Sequence, residues 1–287
     1  MKSAGVVCKA ALSAAVVSAS FLFVAPDSAF ANGNSCKAFG KNLFYKLRSA
    51  LKGAVAKGAL NFGLDLDMWA TVIARDGRVC AVARSGDDAG AQWPGSRVIS
   101  AQKANTANSF SLPESARNGF PLSTANLYSA TQPGGSLFGL QFSNPVDATV
   151  VYDGAAVKYG TPGDPLVNKR PGGVNVFGGG LALYDAGNEL LGAVGVSGDT
   201  SCSDHYIAWR VRDALGLDYV PQGVGTPGDN IIYDIENGES PSGFGHPTCL
   251  GNTNQDSTRQ ANFVAGQCPL NDGPSPECVE DSKVAQN

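Results

Sequence analysis

Side chains that can ligate a metal or hold a charged group are concentrated in two short stretches of the chain. The stretch 202–212 carries Cys202, His205 and Arg212, together with the aromatic side chain of Trp209. The stretch 244–249 reads FGHPTC and contains the only other histidine, His246. Imidazole nitrogens bind haem iron, aromatic rings line haem pockets, and guanidinium groups pair with carboxylates such as the haem propionates. These residue types are those of a haem site.

The first stretch is expected to form a helix over residues 202–215. Asp199 or Thr200 can serve as its N-cap, and Ser201 with Asp204 forms a pair that resembles a capping box. One face, which should pack on a sheet, carries Ile207, Val211, Ala214 and Leu215. The opposite face carries the four residues Cys202, His205, Trp209 and Arg212.

Cysteine pairing connects the two stretches. Cys249 is the nearest candidate partner for Cys202, and a bond between them would lay the C-terminal segment across the helix and bring His246 towards His205. For the other cysteines, Cys268 is expected to pair with Cys278, or one of them with Cys36. Cys36 with Cys80 is the remaining possibility. No spacing is C-x-x-C, which leaves a zinc ribbon, a thioredoxin motif or covalent c-type haem without support.

The leading hypothesis is a non-enzymatic haem-binding protein. In it His205 or His246 ligates the iron, Arg212 lies near a propionate, and Trp209 and Phe244 form apolar walls. A second hypothesis treats the same helix face as the interface of an oligomer or of a partner protein, with His246 merely shaping a turn. A third is a small-molecule binder or enzyme that uses Asp204 and His205 as an acid/base pair.

Other chemistries lack required residues. The glycines at 192, 195 and 198 are not followed by the lysine of a phosphate-binding loop, and Gly195-Val-Ser197-Gly198 departs from the G-x-S-x-G nucleophile elbow. The glycines instead indicate close packing of backbones. A formal net charge of −4 argues against a nucleic-acid partner.

The N-terminus has the pattern of a signal peptide over residues 1–31. Lys2 and Lys9 precede an apolar segment that ends at Ala29-Phe30-Ala31, a small-x-small cleavage pattern. Export to the periplasm or beyond follows, with disulfides between the remaining cysteines and no membrane span after cleavage.

Hydrophobic periodicity gives the elements that must position the site. An amphipathic helix is predicted from Cys36 to about Leu60. Hairpins are predicted over 68–87 and 175–199, and each leads to a helix, over 96–110 and 202–215. The strands are apolar on both faces, so helices should cover both sides of the sheet. An ordered insertion is expected at about 141–173, and an irregular extension tied by disulfides over 218–287.

The motifs WATVIARDGRVCAVARSGD, ISAQKANTANSF and GAVGVSGDT, in this order between residues 47 and 217, resemble the GlcG/HbpS family of haem-binding proteins, also found as the C-terminal domain of PduO proteins. The resemblance implies a profilin-like α/β (α+β) domain over residues 32–217, with an antiparallel sheet of about five strands flanked by helices. It also implies haem as ligand, a homo-oligomer, a role in haem or iron scavenging, storage or sensing, and possible contact with an envelope partner.

Overall fold

The fold is a four-stranded antiparallel sheet between helices, in a computed structural model that describes residues 35–116 and 119–249. The strands are β1 Trp69–Ala74, β2 Val79–Arg84, β3 Gly180–Tyr184 and β4 Leu190–Ser197, and they lie in the order β2-β1-β4-β3. The predicted fold class and both hairpins are confirmed. The described residues form four strands in this sheet, where about five were predicted.

Six helices accompany the sheet in the described part of the chain. They are α1 Leu43–Val55, α2 Ser96–Phe110, α3 Tyr128–Thr131, α4 Leu140–Ser143, α5 Ala148–Val151 and α6 Ser201–Ala214. Short 3-10 turns span Ser35–Phe39, Gly58–Asn61, Thr124–Leu127 and Ala156–Lys158. Helix α2 coincides with its predicted range, and α6 begins and ends one residue before its predicted range.

Strand β1 shows why both faces of the sheet are apolar. All six of its side chains are buried. Trp69 and Ile73 pack in a cluster with α2, whereas Ala70, Val72 and Ala74 pack in the cluster that contains α1 and α6. Helices therefore cover both faces, and alternate side chains along the strand pack into two separate hydrophobic clusters.

The N-terminal helix is shorter than predicted. Gly40 and Asn42 have φ angles of +72° and +63°, and a helix cannot continue through the left-handed region. The predicted helix is therefore divided into the 3-10 turn Ser35–Phe39, helix α1, and the turn Gly58–Asn61. A disulfide from Cys36 to Cys80 ties the first turn to β2.

Residues 218–249 lie against the core without forming a further strand of the sheet. The Tyr184 N–H donates to the Leu217 carbonyl at 2.9 Å as this segment begins, and Val220, Ile231 and His246 along it are buried. The predicted insertion contains α5 and part of α4. The predicted signal peptide and the cysteines Cys268 and Cys278 lie outside the described residues. No helix of the described part is long and apolar enough to cross a membrane.

The glycines of β4 bring the sheet into direct contact with the backbone of α2. A Cβ atom built at Gly195 would lie 2.0 Å from the Ser100 carbonyl oxygen and 2.5 Å from the Ala104 nitrogen. Neither backbone atom can move without displacing the helix. The sequence-based interpretation of these glycines as packing residues therefore holds for Gly195.

We expect Gly195→Ala to destabilise the protein by about 2–3 kcal/mol, because the methyl group overpacks the contact between α2 and β4. Gly53→Ala in α1 is the matched control. A Cβ there meets nothing within 4 Å, so the variant should gain up to about 1 kcal/mol from helix propensity. Urea unfolding of both variants checks this, and equal stabilities would contradict it.

Candidate functional site

Helix α6 carries the predicted site residues and is buried over most of its length. The Thr200 hydroxyl caps it by accepting the Ser203 N–H at 3.3 Å. Every side chain from Cys202 to Arg212 is buried, whereas Ala214 is exposed. Ala214, predicted to face the sheet, is exposed instead, and the face that carries Cys202 and His205 lies beneath the segment after residue 217. The sheet, α1 and the segment after residue 217 together enclose the helix.

Cys202 and Cys249 form a disulfide, and the two histidines lie in neighbouring positions beneath it. The Gly178 N–H donates to His246 Nε2 at 3.4 Å, and the next amide, of Gly179, donates to His205 Nδ1 at 3.3 Å. The two imidazoles thus accept from consecutive amides just before β3. We call His205 and His246 the histidine cluster.

Both imidazoles of the histidine cluster are neutral and closed to solvent. His246 Nδ1 lies 2.8 Å from the Pro247 carbonyl, which requires the proton on Nδ1 when Nε2 accepts. Burial lowers the pKa of His246 to about 4. Burial also lowers the pKa of His205 well below its usual value, and His246, Arg212 and Lys103 add to this effect. In this state neither ring offers a nitrogen to a ligand from solvent.

Arg212 has a protein carboxylate as its partner where the sequence suggested a haem propionate. Its Nη1 and Nη2 atoms each lie 2.6 Å from one carboxylate oxygen of Asp229, and Nη1 also donates to the Ala182 carbonyl. Both side chains are completely or almost completely buried. Asp229 belongs to the extension, so this pair fixes the extension to α6.

The two predicted aromatic walls are separated. Trp209 is buried and packs edge-on against His205, with ring centroids 4.4 Å apart. Phe244 is 47% exposed. The ring nearest to His246 among those in contact with it is Tyr128, at 5.4 Å, and Tyr233 lies at 6.4 Å. Neither tyrosine was predicted, and nothing in its sequence spacing points to this place.

Asp204 is the other member of the predicted acid/base pair, but its partner is Lys103 of α2. Lys103 Nζ lies 2.6 Å from Asp204 Oδ2, and the Asp199 N–H donates to Oδ1 at 3.0 Å. Burial raises the pKa of Asp204 to about 6 and lowers that of Lys103, because desolvation outweighs their attraction. A third buried pair, Arg97 with Asp164, joins α2 to the insertion.

An open cavity of about 550 Å³ lies elsewhere, between α1 and the C-terminal half of α6. It is lined by Tyr45, Lys46, Ser49, Ala50, Gly53, Ala54, Lys57, Arg210, Asp213 and Ala214. We call it the α1–α6 groove. The sequence-based prediction missed it because it used only the apolar positions of this helix. The available signal is the spacing: from Lys46 to Lys57 these positions recur every three or four residues, and those between the lysines are small.

The charge in the α1–α6 groove is mainly positive. Arg210 Nε donates to Asn61 Oδ1 at 3.0 Å, and Nη2 donates to the Leu60 carbonyl at 3.1 Å. Burial lowers the pKa of Arg210 to about 10, but this value is still far enough above neutral pH for the guanidinium to remain charged. Burial and the nearby Asp218 raise the pKa of Asp213, the one acid that lines the groove.

The geometry defines an α/β domain in which an antiparallel sheet is covered by α2 on one face and by α1 and α6 on the other. The chain belongs to the family described as haem degrading protein HbpS-like, whose family model matches residues 46–212.

Two solved structures are similar to part of the chain. One is Klebsiella pneumoniae protein ORFY, of the family model DUF336, at 25% identity and a TM-score of 0.37, covering 59% of this chain and 87% of that one. Another is the PduOC:haem complex, at 20% identity and a TM-score of 0.39, covering 59% of this chain and 89% of that one. No curated protein matches the chain.

We expect Arg212→Met to destabilise the protein by about 3–5 kcal/mol, because Asp229 then remains buried without its cation. The double variant Arg212→Met/Asp229→Asn removes the stranded charge and keeps an acceptor for the Gly225 N–H. It should recover at least about half of that loss. Chemical denaturation checks both variants. A double variant whose loss of stability equals or exceeds the sum of the two single losses would contradict the role of the ion pair.

The histidine cluster should make stability depend on pH. A base whose pKa is lowered by folding stabilises the folded state fully above the unfolded pKa, and this stability is lost as the pH falls. Between pH 6.5 and 4, His246 should therefore cost up to about 1.4 kcal/mol per pH unit as the pH is lowered.

Asp204 acts in the opposite direction over part of this range, because its pKa is raised to about 6. The measurement is therefore the difference in unfolding free energy between the wild type and His246→Asn, followed from pH 7 to pH 4. The advantage of the wild type should shrink towards pH 4. A difference that is independent of pH would show that His246 does not titrate in this way.

Proposed function

We propose that the protein binds haem. The observation that carries the proposal is the family match, which covers most of the described core and whose description names haem.

Export is part of the proposal. Two disulfides, Cys36–Cys80 and Cys202–Cys249, are consistent with an oxidising compartment. The signal-like segment 1–31 gives the route. A haem-binding protein in the periplasm or outside the cell would scavenge, store or sense haem or its iron, as a homo-oligomer and with an envelope partner where sensing requires one.

Haem degradation is the second candidate, because the family description names it. Degradation needs dioxygen and a source of electrons in addition to bound haem. Incubating the haem-loaded protein with ascorbate in air, with catalase present to remove free peroxide, separates the two functions. A binding protein loses its Soret band no faster than a haem-loaded control globin does. A degrading protein loses the band faster and releases iron.

The direct test is a titration of the full mature chain with haemin, followed at the Soret band against haemin alone. We expect saturation near one haem per chain, with a band shifted from that of free haemin. Apparent binding that rises linearly without saturation would contradict the proposal, because haemin associates weakly with many apolar surfaces. Zinc protoporphyrin, followed by fluorescence, gives an independent measure of occupancy.

A further inference from the structure

We propose that reduction of the Cys202–Cys249 disulfide turns the histidine cluster into a metal site. The two thiolates and the two imidazoles then bind one zinc ion or a similar thiophilic cation. Two cysteines with two histidines are one of the usual ligand sets of structural zinc. This metal site is independent of haem binding, so either can fail without the other.

The four ligands come in two pairs with the same short spacing. Residues 202–205 read CSDH, and residues 246–249 read HPTC. Zinc ligands commonly come in pairs with roughly two to five residues between them, and both pairs have this form. In α6, positions three apart lie on the same face, so Cys202 and His205 can reach one ion. A search for C-x-x-C cannot find this pattern, because each pair contains only one cysteine.

The two imidazoles direct their lone pairs to one place. His246 Nε2 accepts the Gly178 N–H at 3.4 Å, and His205 Nδ1 accepts the Gly179 N–H at 3.3 Å. Both hydrogen bonds are long and their donors are consecutive amides, so an ion beside this peptide can replace them at little cost. The Nδ1 proton of His246 is held by the Pro247 carbonyl at 2.8 Å, which is how metal-binding histidines are usually oriented.

The cysteine sulfur of α6 lies against the same segment. Cys202 Sγ is 3.7 Å from the Pro247 carbonyl oxygen, the atom that holds the imidazole proton. Gly178 packs on the first turn of α6, because a Cβ atom built there would clash with the Ser201 carbonyl oxygen. The first turn of α6, residues 246–249 and the amides before β3 therefore meet at one place.

His205 lacks the second hydrogen bond that a buried imidazole normally makes. Its Nε2 atom is buried and has no hydrogen-bond partner of normal geometry in the described part of the chain. The Asp229 backbone is near enough to accept from Nε2 after a small movement of the ring. The oxidised fold therefore does not use this imidazole fully, and a cation at Nδ1 gives it a strong partner.

The disulfide and the metal exclude each other. In the oxidised protein both sulfurs belong to the disulfide, and the described residues contain no group of three or more histidine, cysteine or acidic side chains placed to hold an ion. A dithiol reduces the bond by giving two electrons and two protons, and it becomes a disulfide itself. The two thiols then lose their protons to solvent as their sulfurs donate electron pairs to zinc, whose oxidation state stays the same.

Reduction leaves the ligands close together. Cys249 is half-buried, so a dithiol can attack its sulfur. The segment beside it is still held after reduction, because the His246 N–H donates to the Ile232 carbonyl at 2.7 Å. The buried Arg212–Asp229 pair also holds the extension on α6. Both pairs of ligands therefore stay on the same side of the core.

The experiment measures cobalt(II) binding by the full mature chain, either oxidised or reduced with a dithiol that is then removed without air. Cobalt(II) reports its ligands, because thiolates give it a charge-transfer band and tetrahedral geometry gives it intense visible bands. Zinc is added afterwards to displace it. A count of free thiols establishes the redox state of each sample.

Three variants remove the proposed ligands, and two remove the same number of thiols elsewhere. The ligand variants are Cys202→Ser/Cys249→Ser, His205→Gln and His246→Asn. The matched controls are Cys36→Ser/Cys80→Ser, which removes the other disulfide of the described residues, and Cys268→Ser/Cys278→Ser. Circular dichroism records the fold of each sample before and after the metal is added.

We expect the reduced wild type to bind one cobalt ion per chain with a thiolate charge-transfer band, and zinc to displace it. The oxidised wild type should show no such band. The band should be lost in Cys202→Ser/Cys249→Ser and kept in both controls. Each histidine variant should raise the cobalt dissociation constant at least about tenfold.

Equal cobalt binding by oxidised and reduced protein would overturn the metal site, and so would unchanged binding in the histidine variants or a band lost only in Cys268→Ser/Cys278→Ser. If reduction unfolds the chain, zinc should restore its circular dichroism, because metal binding at such sites drives folding. A reduced chain that stays unfolded in excess zinc overturns the proposal as well. Haemin titration of the oxidised chain is a separate measurement, so none of these outcomes decides haem binding.

Discussion

The burial of α6 is the constraint on which the rest of the structure depends. This helix carries acidic, basic and imidazole side chains into a region where water cannot reach them, and each buried polar group needs a partner. Lys103 comes from α2 to meet Asp204, Asp229 comes from the extension to meet Arg212, and backbone amides before β3 meet the imidazoles. The partners of α6 therefore specify how α2, the sheet and the extension are arranged around it.

The elements that obey a simple period could be predicted from the sequence. The 68–87 hairpin, which turns at Asp76-Gly77, and the 96–110 helix were predicted correctly because local turn chemistry and apolar spacing agree with the tertiary fold. The continuous N-terminal helix was wrong, since Gly40 and Asn42 interrupt it through positive φ angles. Apolar spacing cannot detect such an interruption, because it continues in register through the break.

The candidate site was predicted only in part, for a physical reason. The proximity of His205 and His246 follows from one disulfide between Cys202 and Cys249, which sequence order and redox compartment suggest. Their complete burial does not follow, because a helical projection assigns one apolar and one polar face and does not show which distant side chains pair with the polar face. In this protein those side chains are Lys103 of α2, which pairs with Asp204, and Asp229 of the extension, which pairs with Arg212. Their contribution depends on tertiary contacts that no local pattern records.

Different sides of α6 meet different surroundings. The Cys202–Cys249 disulfide and the histidine cluster bind the extension to the first half of the helix, and the Arg212–Asp229 pair binds it to the last turn. Asp213 and Ala214, in the same last turn, lie beside α1, where small side chains leave the groove open. Residues 218–249 therefore add a buried ion pair and a cross-link to the family core without lining its open cavity. The extension and the groove share the last turn of α6 but lie on different sides of it.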